Sequence, residues 1–220
     1  MNTLQKGIKM IVFDMDGVLV DIESSWEFVH EAFKVDGNEN LEKYLQGAFD
    51  YREFMRRDIG LWGSVHINQI RNILNRVPLM KGAKEAIQSL KKFDYKTAII
   101  SSGLNVLARN LQKELEIDYV YANDLQINSQ GILTGEGEEV VDLWNKVAVL
   151  YSLVKHLGIT TKQCAVIGDS IYDVPLFKAA GFSIAFNPRD EKVKENATAS
   201  IVQKDLREIL QYFTPDACMQ

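Results

Sequence analysis

The stretch IVFDMDGVLVD (residues 11–21) passes from three branched or aromatic apolar side chains into two carboxylates one residue apart, Asp14 and Asp16, followed by Gly17. Each acid raises the cost of ionising the other, so a pair like this at the end of a buried run is kept where a cation or a reaction uses it. The apolar half of the stretch is one of several such runs. KMIVFD (9–14), YKTAIIS (95–101), YVYAND (119–124), QCAVIGD (163–169) and FSIAFN (182–187) are rich in Val, Ile and aromatics and end in Asp, Ser or Asn. Apolar runs without polar alternation suit strands covered on both faces, as in a parallel sheet.

Helical patterns separate the runs: AKEAIQSLKKF (83–93), VLARNLQKELE (106–116), VVDLWNKVAVLYSLVKHLG (140–158) and VPLFKAAG (174–181). Alternating strand and helix predicts an α/β fold, a doubly wound parallel sheet with right-handed crossovers. DLREILQYF (205–213) opens on Asp205 with Glu208 three residues later, which predicts a closing helix with a capping box. From residue 22 to 80 the rhythm breaks: helical patterns follow one another without a convincing strand. About sixty residues are far more than a connection between neighbouring elements requires. They predict an inserted helical cap (22–80) on a catalytic core made of 1–21 and 81–220, with VPLMKG (77–82) as the return hinge.

Composition narrows the function. The chain of 220 residues carries a net charge of −5, which argues against non-specific nucleic-acid binding, a process that draws on clustered positive charge. Two cysteines, Cys164 in an apolar run and Cys218 in a polar tail, make no disulfide framework and suit a reducing compartment. The start, MNTLQKGIKM, lacks the apolar stretch of a secretory signal, and no window approaches a membrane span, so a cytoplasmic protein with a small diffusible partner is expected.

In open α/β sheets the ligand crevice lies beyond the carboxyl ends of the strands. The polar ends of these runs would therefore converge there: Asp14 and Asp16, then Ser101, Ser102 and Gly103 from IISSG, then Asp169 and Asp173 from GDSIYD. Lys146 could supply a cation. Carboxylates, a hydroxyl and a lysine around one cleft make a metal and phosphate site, and Mg2+ suits it as a hard ion that keeps positions for water and phosphate. Asp14 can then attack phosphorus while Asp16 shuttles protons. Ser101, Ser102 and Gly103, with backbone N–H groups at the next helix N-terminus, would hold phosphoryl oxygens.

These residues resemble the motifs of the haloacid-dehalogenase-like phosphatase superfamily. IVFDMDGVL matches its apolar run with D-x-D-G, TAIIS its second motif, Lys146 its helix lysine and GDSIYD its G-D-x-x-x-D, in order and over nearly the whole chain. Within it the motif spacing and the segment YANDLQINSQGILTG, with an Asn before a hairpin, are most similar to phosphoserine phosphatases. The resemblance implies an Asp14 nucleophile that also ligates Mg2+, Asp16 as acid/base with its carbonyl on the metal, and Asp169 as the remaining protein ligand. It further implies Ser101 and Lys146 on phosphate, Asp173 bracing the site, and Glu23, in the first turn of a predicted helix, on a substrate ammonium group.

Departures concern the substrate. Ser170 and Tyr172 stand where the family carries Gly and Asn, and Ser102 where a second Gly is common. Asp58 falls where a cap arginine reads the substrate carboxylate, which leaves Arg56 or Arg57 to reach instead. The implied substrate is a small phosphomonoester, phosphoserine first, with a sugar-phosphate phosphatase, a phosphomutase or a non-catalytic phospho-Asp regulator as alternatives. Oligomeric state stays open. Trp26, Phe28, Phe33, Tyr44, Phe49 and Phe54 read as cap core, and His30, His66 and His156 show no metal-ligand spacing.

Overall fold

The computed structural model describes residues 7–214; Cys218 and the first six residues of the N-terminal segment lie outside them. The first strand, β1 (Met10–Phe13), is wholly buried. Four helices follow before the next strand: α1 (Ser25–Phe33), α2 (Asn38–Leu45), α3 (Tyr51–Trp62) and α4 (Ile67–Leu74). The chain continues with α5 (Ala83–Lys92), β2 (Lys96–Leu104), α6 (Asn105–Leu115), β3 (Tyr119–Ile127) and β4 (Leu133–Glu138). It closes with α7 (Lys146–Leu157), β5 (Cys164–Gly168), α8 (Val174–Ala179), β6 (Phe182–Phe186), α9 (Glu191–Glu195) and β7 (Ala199–Ile201).

The strands form one seven-stranded sheet in the order β4-β3-β2-β1-β5-β6-β7. Every pairing is parallel except β3 with β4, a hairpin at the edge. Side chains alternate across β1. Ile11 and Phe13 join the core cluster on one face, Met10 and Val12 the cluster on the other. Strand order reverses at β1, whose neighbours are β2 and β5, so the ends of these three strands border the crevice expected of such a sheet.

The helical insert leaves and rejoins the core through paired backbone. Asp21 N–H donates to the Pro78 carbonyl (3.0 Å) and Met80 N–H to that of Leu19 (2.9 Å). Its far end rests on the β3–β4 hairpin, where Leu133 N–H donates to Val65 (2.9 Å) and Ile67 N–H to Gly131 (2.9 Å). His66 caps α4: its side chain accepts from the N–H of Asn68 (3.1 Å).

Two expected helices differ. The apolar run from residue 140 becomes helical only at Lys146. The side-chain oxygen of Asn123 takes the N–H groups of Val140 and Val141 (both 2.8 Å), and Asp142 takes that of Trp144 (2.8 Å), so these donors are spent on side chains. The closing segment is a 3-10 helix, Leu206–Tyr212, without the expected capping box. Asp205 instead accepts from the N–H and guanidinium of Arg207 and pairs with Lys81, which hold its carboxyl well below the usual range. The short β7, inside the polar stretch ATASI, has no signal in apolar patterning.

Asn123 is fully buried and ties three segments together. Besides the two N–H groups it accepts, its amide donates to the carbonyls of Ser102 (3.0 Å) and Val141 (2.9 Å). Asn123→Leu keeps the branching at Cγ and removes these bonds. It should cost about 3 kcal/mol, read as a urea-midpoint shift, and lower Tm by roughly 9 °C. A loss under about 1 kcal/mol would show that the loop into α7 does not depend on this amide.

Candidate active site

Asp14 directly follows β1, and its N–H continues the sheet by donating to Ile167 of β5 (2.9 Å). Its carboxylate is almost completely buried and held at both oxygens. Met15 N–H donates to Oδ1 (2.7 Å) and the Lys146 ammonium to Oδ2 (2.6 Å). Lys146 is the first residue of α7, and its Nζ also donates to Asp173 Oδ1 (2.7 Å). Burial by itself pushes the lysine toward neutrality, but the two carboxylates beside it win and hold its pKa above the ordinary value. It therefore stays charged.

Asp173 is committed on its other side as well. Its Oδ2 accepts from the N–H groups of Asp169 (3.2 Å) and Ser170 (3.1 Å) and from the Ser170 hydroxyl (3.0 Å). Ser170, where a glycine is common in the motif it resembles, thus braces Asp173. Asp169 pairs through Oδ2 with Arg189 (2.6 Å) and leaves Oδ1 buried without a partner. Gly17 sits beside it at φ +78°, and a Cβ there would lie 2.2 Å from Asp169 Oδ2. Both the left-handed backbone and the close approach require glycine after the second aspartate.

Asp16 faces another set of partners. The N–H and hydroxyl of Ser25, at the start of α1, donate to Oδ2 (2.8 and 2.9 Å), while Oδ1 is buried and unpartnered. Burial raises the pKa of Asp16 to about 7, with Ser25 opposing and the charge on Asp14 adding to the rise. Near neutral pH this acid can hold or release a proton, as a general acid must.

Ser101 Oγ accepts from Gly103 N–H (3.2 Å) in the tail of β2. The Ser102 carbonyl is fixed by three donors, from Trp26 (3.1 Å), Tyr51 (3.0 Å) and Asn123. At Gly103 a Cβ would come within 2.6 Å of Met15 and Ser25, so glycine lets the Asp16 and Ser25 segments close up.

These residues open into a cavity of about 510 Å³ between sheet and helical insert. Asp14, Asp16, Ser101, Ser102, Gly103 and Lys146 line its floor, and Glu23 lines its mouth. Glu23 does not lie in a helix turn; it precedes the cap residue Ser24, whose side chain accepts from Glu27 N–H (3.3 Å). Arg56 and Arg57 are not brought to the cavity. Both are exposed and bound to Glu53 on the same helix (2.6 and 2.8 Å), and Arg57 also stacks on Phe49. The i, i+3 and i, i+4 spacing on α3 favours that pairing over reaching inward.

Three features escape sequence patterning. Arg189, in FNPRD after β6, joins Asp169 and donates to the Glu23 carbonyl (2.7 Å), linking core and insert. Its signal was a charged residue after another strand run. His30 and Asp58 form a buried pair (3.4 Å) in the cavity wall, although His30 has no ligand spacing. Ser25 carries no sequence mark beyond its place at a helix start.

Whether a metal fits can be judged from the donors. Asp14, Asp169 and Asp173 present carboxylate oxygens within 4.8 Å of one another. The unpartnered buried oxygen of Asp169 is a hard donor that protein groups leave open. Among the described residues Asp14, Asp16, Asp169 and Asp173 face two cations, Lys146 and Arg189, so a divalent ion would offset the remaining charge. Of the three that cluster, Asp173 is taken by Lys146 and by backbone N–H groups, Asp169 keeps an open oxygen, and Asp14 faces the cavity with each oxygen accepting one bond. No helix is long and apolar enough to cross a membrane among the described residues.

Comparison with known proteins agrees with this geometry. The family model for haloacid dehalogenase-like hydrolases matches residues 8–181. Phosphoserine phosphatase of Methanocaldococcus jannaschii is 32% identical over 211 residues, covering 95% of this chain and 99% of the relative. A substrate-bound phosphoserine phosphatase complex superposes with a TM-score of 0.80 at 29% identity, covering 94% of this chain and 99% of the other. A phospho-aspartyl intermediate analogue of phosphoserine phosphatase superposes at 0.79 with 31% identity and the same coverage. The chain belongs to the haloacid dehalogenase-like hydrolases, as a phosphatase of that family.

Proposed function

We propose that this protein is a Mg2+-dependent phosphomonoesterase acting on small phosphorylated metabolites with an amino group, the class that includes phosphoserine, through a phosphoryl group carried on Asp14. The observation that carries this reading is the buried Asp14 carboxylate, gripped by Lys146 at 2.6 Å on the floor of the cavity, with Asp16, its pKa raised by burial to about 7, beside it. We assign residues 22–80 as the cap over a core of 1–21 and 81–220.

Asp14 attacks phosphorus, the bond from phosphorus to the ester oxygen breaks, and Asp16 hands its proton to the departing oxygen. Water then attacks the same phosphorus and gives a proton back to Asp16. The bond to Asp14 breaks, releasing inorganic phosphate. Lys146 and the N–H groups around Ser101 to Gly103 hold phosphoryl oxygens throughout. Asp14, the Asp16 carbonyl and Asp169 would hold the Mg2+, which when bound supplies charge neutralisation for the transferring group.

Asp14→Asn should lower kcat by about a thousandfold or more while leaving the fold intact. Undiminished phosphate release would overturn the nucleophile assignment.

Removing the metal has a pH signature. Asp16 and Asp169 are both raised to about 7, chiefly by burial. Folded pKa values above the unfolded ones contribute stability at low pH that is lost as pH rises through about 7. A metal that needs the ionised carboxylates should counter that loss, so the Tm difference between Mg2+ and EDTA should widen from pH 5.5 to 8. A constant or narrowing difference would contradict the site.

Glu23, at the cavity mouth, is proposed to read the substrate amine. Glu23→Gln should lower kcat/KM for amine-bearing esters by about tenfold and leave p-nitrophenyl phosphate unaffected. An equal loss on both would exclude that role.

A further inference from the structure

We infer that the cap side of the cavity selects phosphate esters of small amino alcohols, whose far end is an ammonium group without a carboxylate. The inference narrows the phosphatase reading above and rests on it.

Charge on the wall is the first ground. Glu23, Glu27, Glu31, Asp36 and Asp58 all line the cavity. The lining cations are Lys146 and Arg189, and both are paired with acids: Lys146 with Asp14 and Asp173 on the floor, Arg189 with Asp169, from which it reaches the Glu23 carbonyl at the mouth. Among the described lining residues no side-chain cation is without a carboxylate of the protein beside it. On the cap side the N–H of Asn38 is also taken, donating to Asp36 Oδ1 (2.8 Å).

His30 does not fill the gap. An indole N–H can only donate, and that of Trp62 points to His30 Nδ1 at 3.1 Å. Nδ1 is therefore an acceptor, the proton sits on Nε2, and the ring carries no positive charge. Nε2 lies 3.4 Å from Asp58 Oδ2, and Asn40 donates to Asp58 Oδ1 (2.8 Å). Asp58 is only 3% exposed and both its oxygens face these uncharged partners, so the acid is fixed in the wall with neither oxygen left as a donor toward a substrate carboxylate. The site is built closely: a Cβ on Gly37 would come 2.5 Å from His30 Nε2. A substrate carboxylate brought into this wall meets like charge without compensation, which costs affinity and rate. An ammonium group meets acids and, in Trp26, Tyr51, Phe54 and Tyr172, aromatic faces that favour cations.

The test measures phosphate release by the purified enzyme with Mg2+ from phosphoethanolamine, glycerol 1-phosphate, phosphoserine and p-nitrophenyl phosphate. Expected is a kcat/KM for phosphoethanolamine about tenfold or more above that for phosphoserine, with the neutral glycerol ester between them. Asp58→Asn should narrow the gap by raising phosphoserine turnover. Should that buried variant fail to fold, Glu27→Gln, on an exposed position, should narrow it in the same direction. Phosphoserine or glycerol 1-phosphate equal to or better than phosphoethanolamine, or an unchanged ratio in a folded variant, would overturn the inference and leave the phosphatase reading standing. If no ester is turned over, p-nitrophenyl phosphate included, both fall together.

Discussion

One ammonium group holds this molecule's chemistry in place. Lys146 Nζ sits between a carboxylate at the end of β1 and one in the turn between β5 and α8, 2.6 Å from Asp14 and 2.7 Å from Asp173, with all three side chains buried. Removing such charges from water is costly, and only close pairing with full hydrogen bonding offsets it. The pairing reaches far along the chain, because Asp14 follows β1, Asp173 follows β5 and Lys146 opens α7. The parallel sheet must bring the first two to one edge before the lysine can bridge them. Once it does, the lysine in turn fixes where α7 begins, a register that Asn123 supports from the other side by holding the preceding loop.

Around that bridge the acids divide their tasks through their surroundings. Asp173 has every oxygen satisfied and acts as a brace. Asp14 is oriented at both oxygens yet lines the cavity. Asp16 and Asp169 each keep one buried oxygen without a partner, the state expected of groups awaiting a proton, a ligand or an ion. The helical insert finishes the arrangement: Ser25 from α1 clamps Asp16, and Arg189 runs from Asp169 to the backbone at Glu23. The core thus supplies the carboxylates and the lysine, and the insert holds one of those carboxylates and covers the space above them.

The cavity also joins two unlike halves. Its floor pairs carboxylates with Lys146 and Arg189 and suits an anion bound with a metal ion. Its cap wall carries acids and aromatics whose one histidine is neutral, so the two ends of a bound ester meet opposite electrostatic demands. On the reading proposed above, specificity follows from the wall, while reaction type follows from the floor.

The amino-acid sequence alone determined the reaction class. Apolar runs ending in Asp14, Ser101 and Asp169, with Lys146 and Asp173 at matching intervals, mark strand ends in an alternating α/β chain, and strand ends are where such a sheet gathers its ligands. Those signals are local, because each depends on a few consecutive residues. Tertiary structure decided what those runs could not carry. Arg56 looked available by position, yet its helix spacing hands it to Glu53. His30 looked unremarkable, yet folding sets it against Asp58 and Trp62. Residue 140 looked helical until Asn123, distant in sequence, took its N–H. Hydrogen bonds between distant residues leave no periodicity in the chain, so which acids stay free, which cations are spent and what charge the cavity wall presents emerge only when the segments meet.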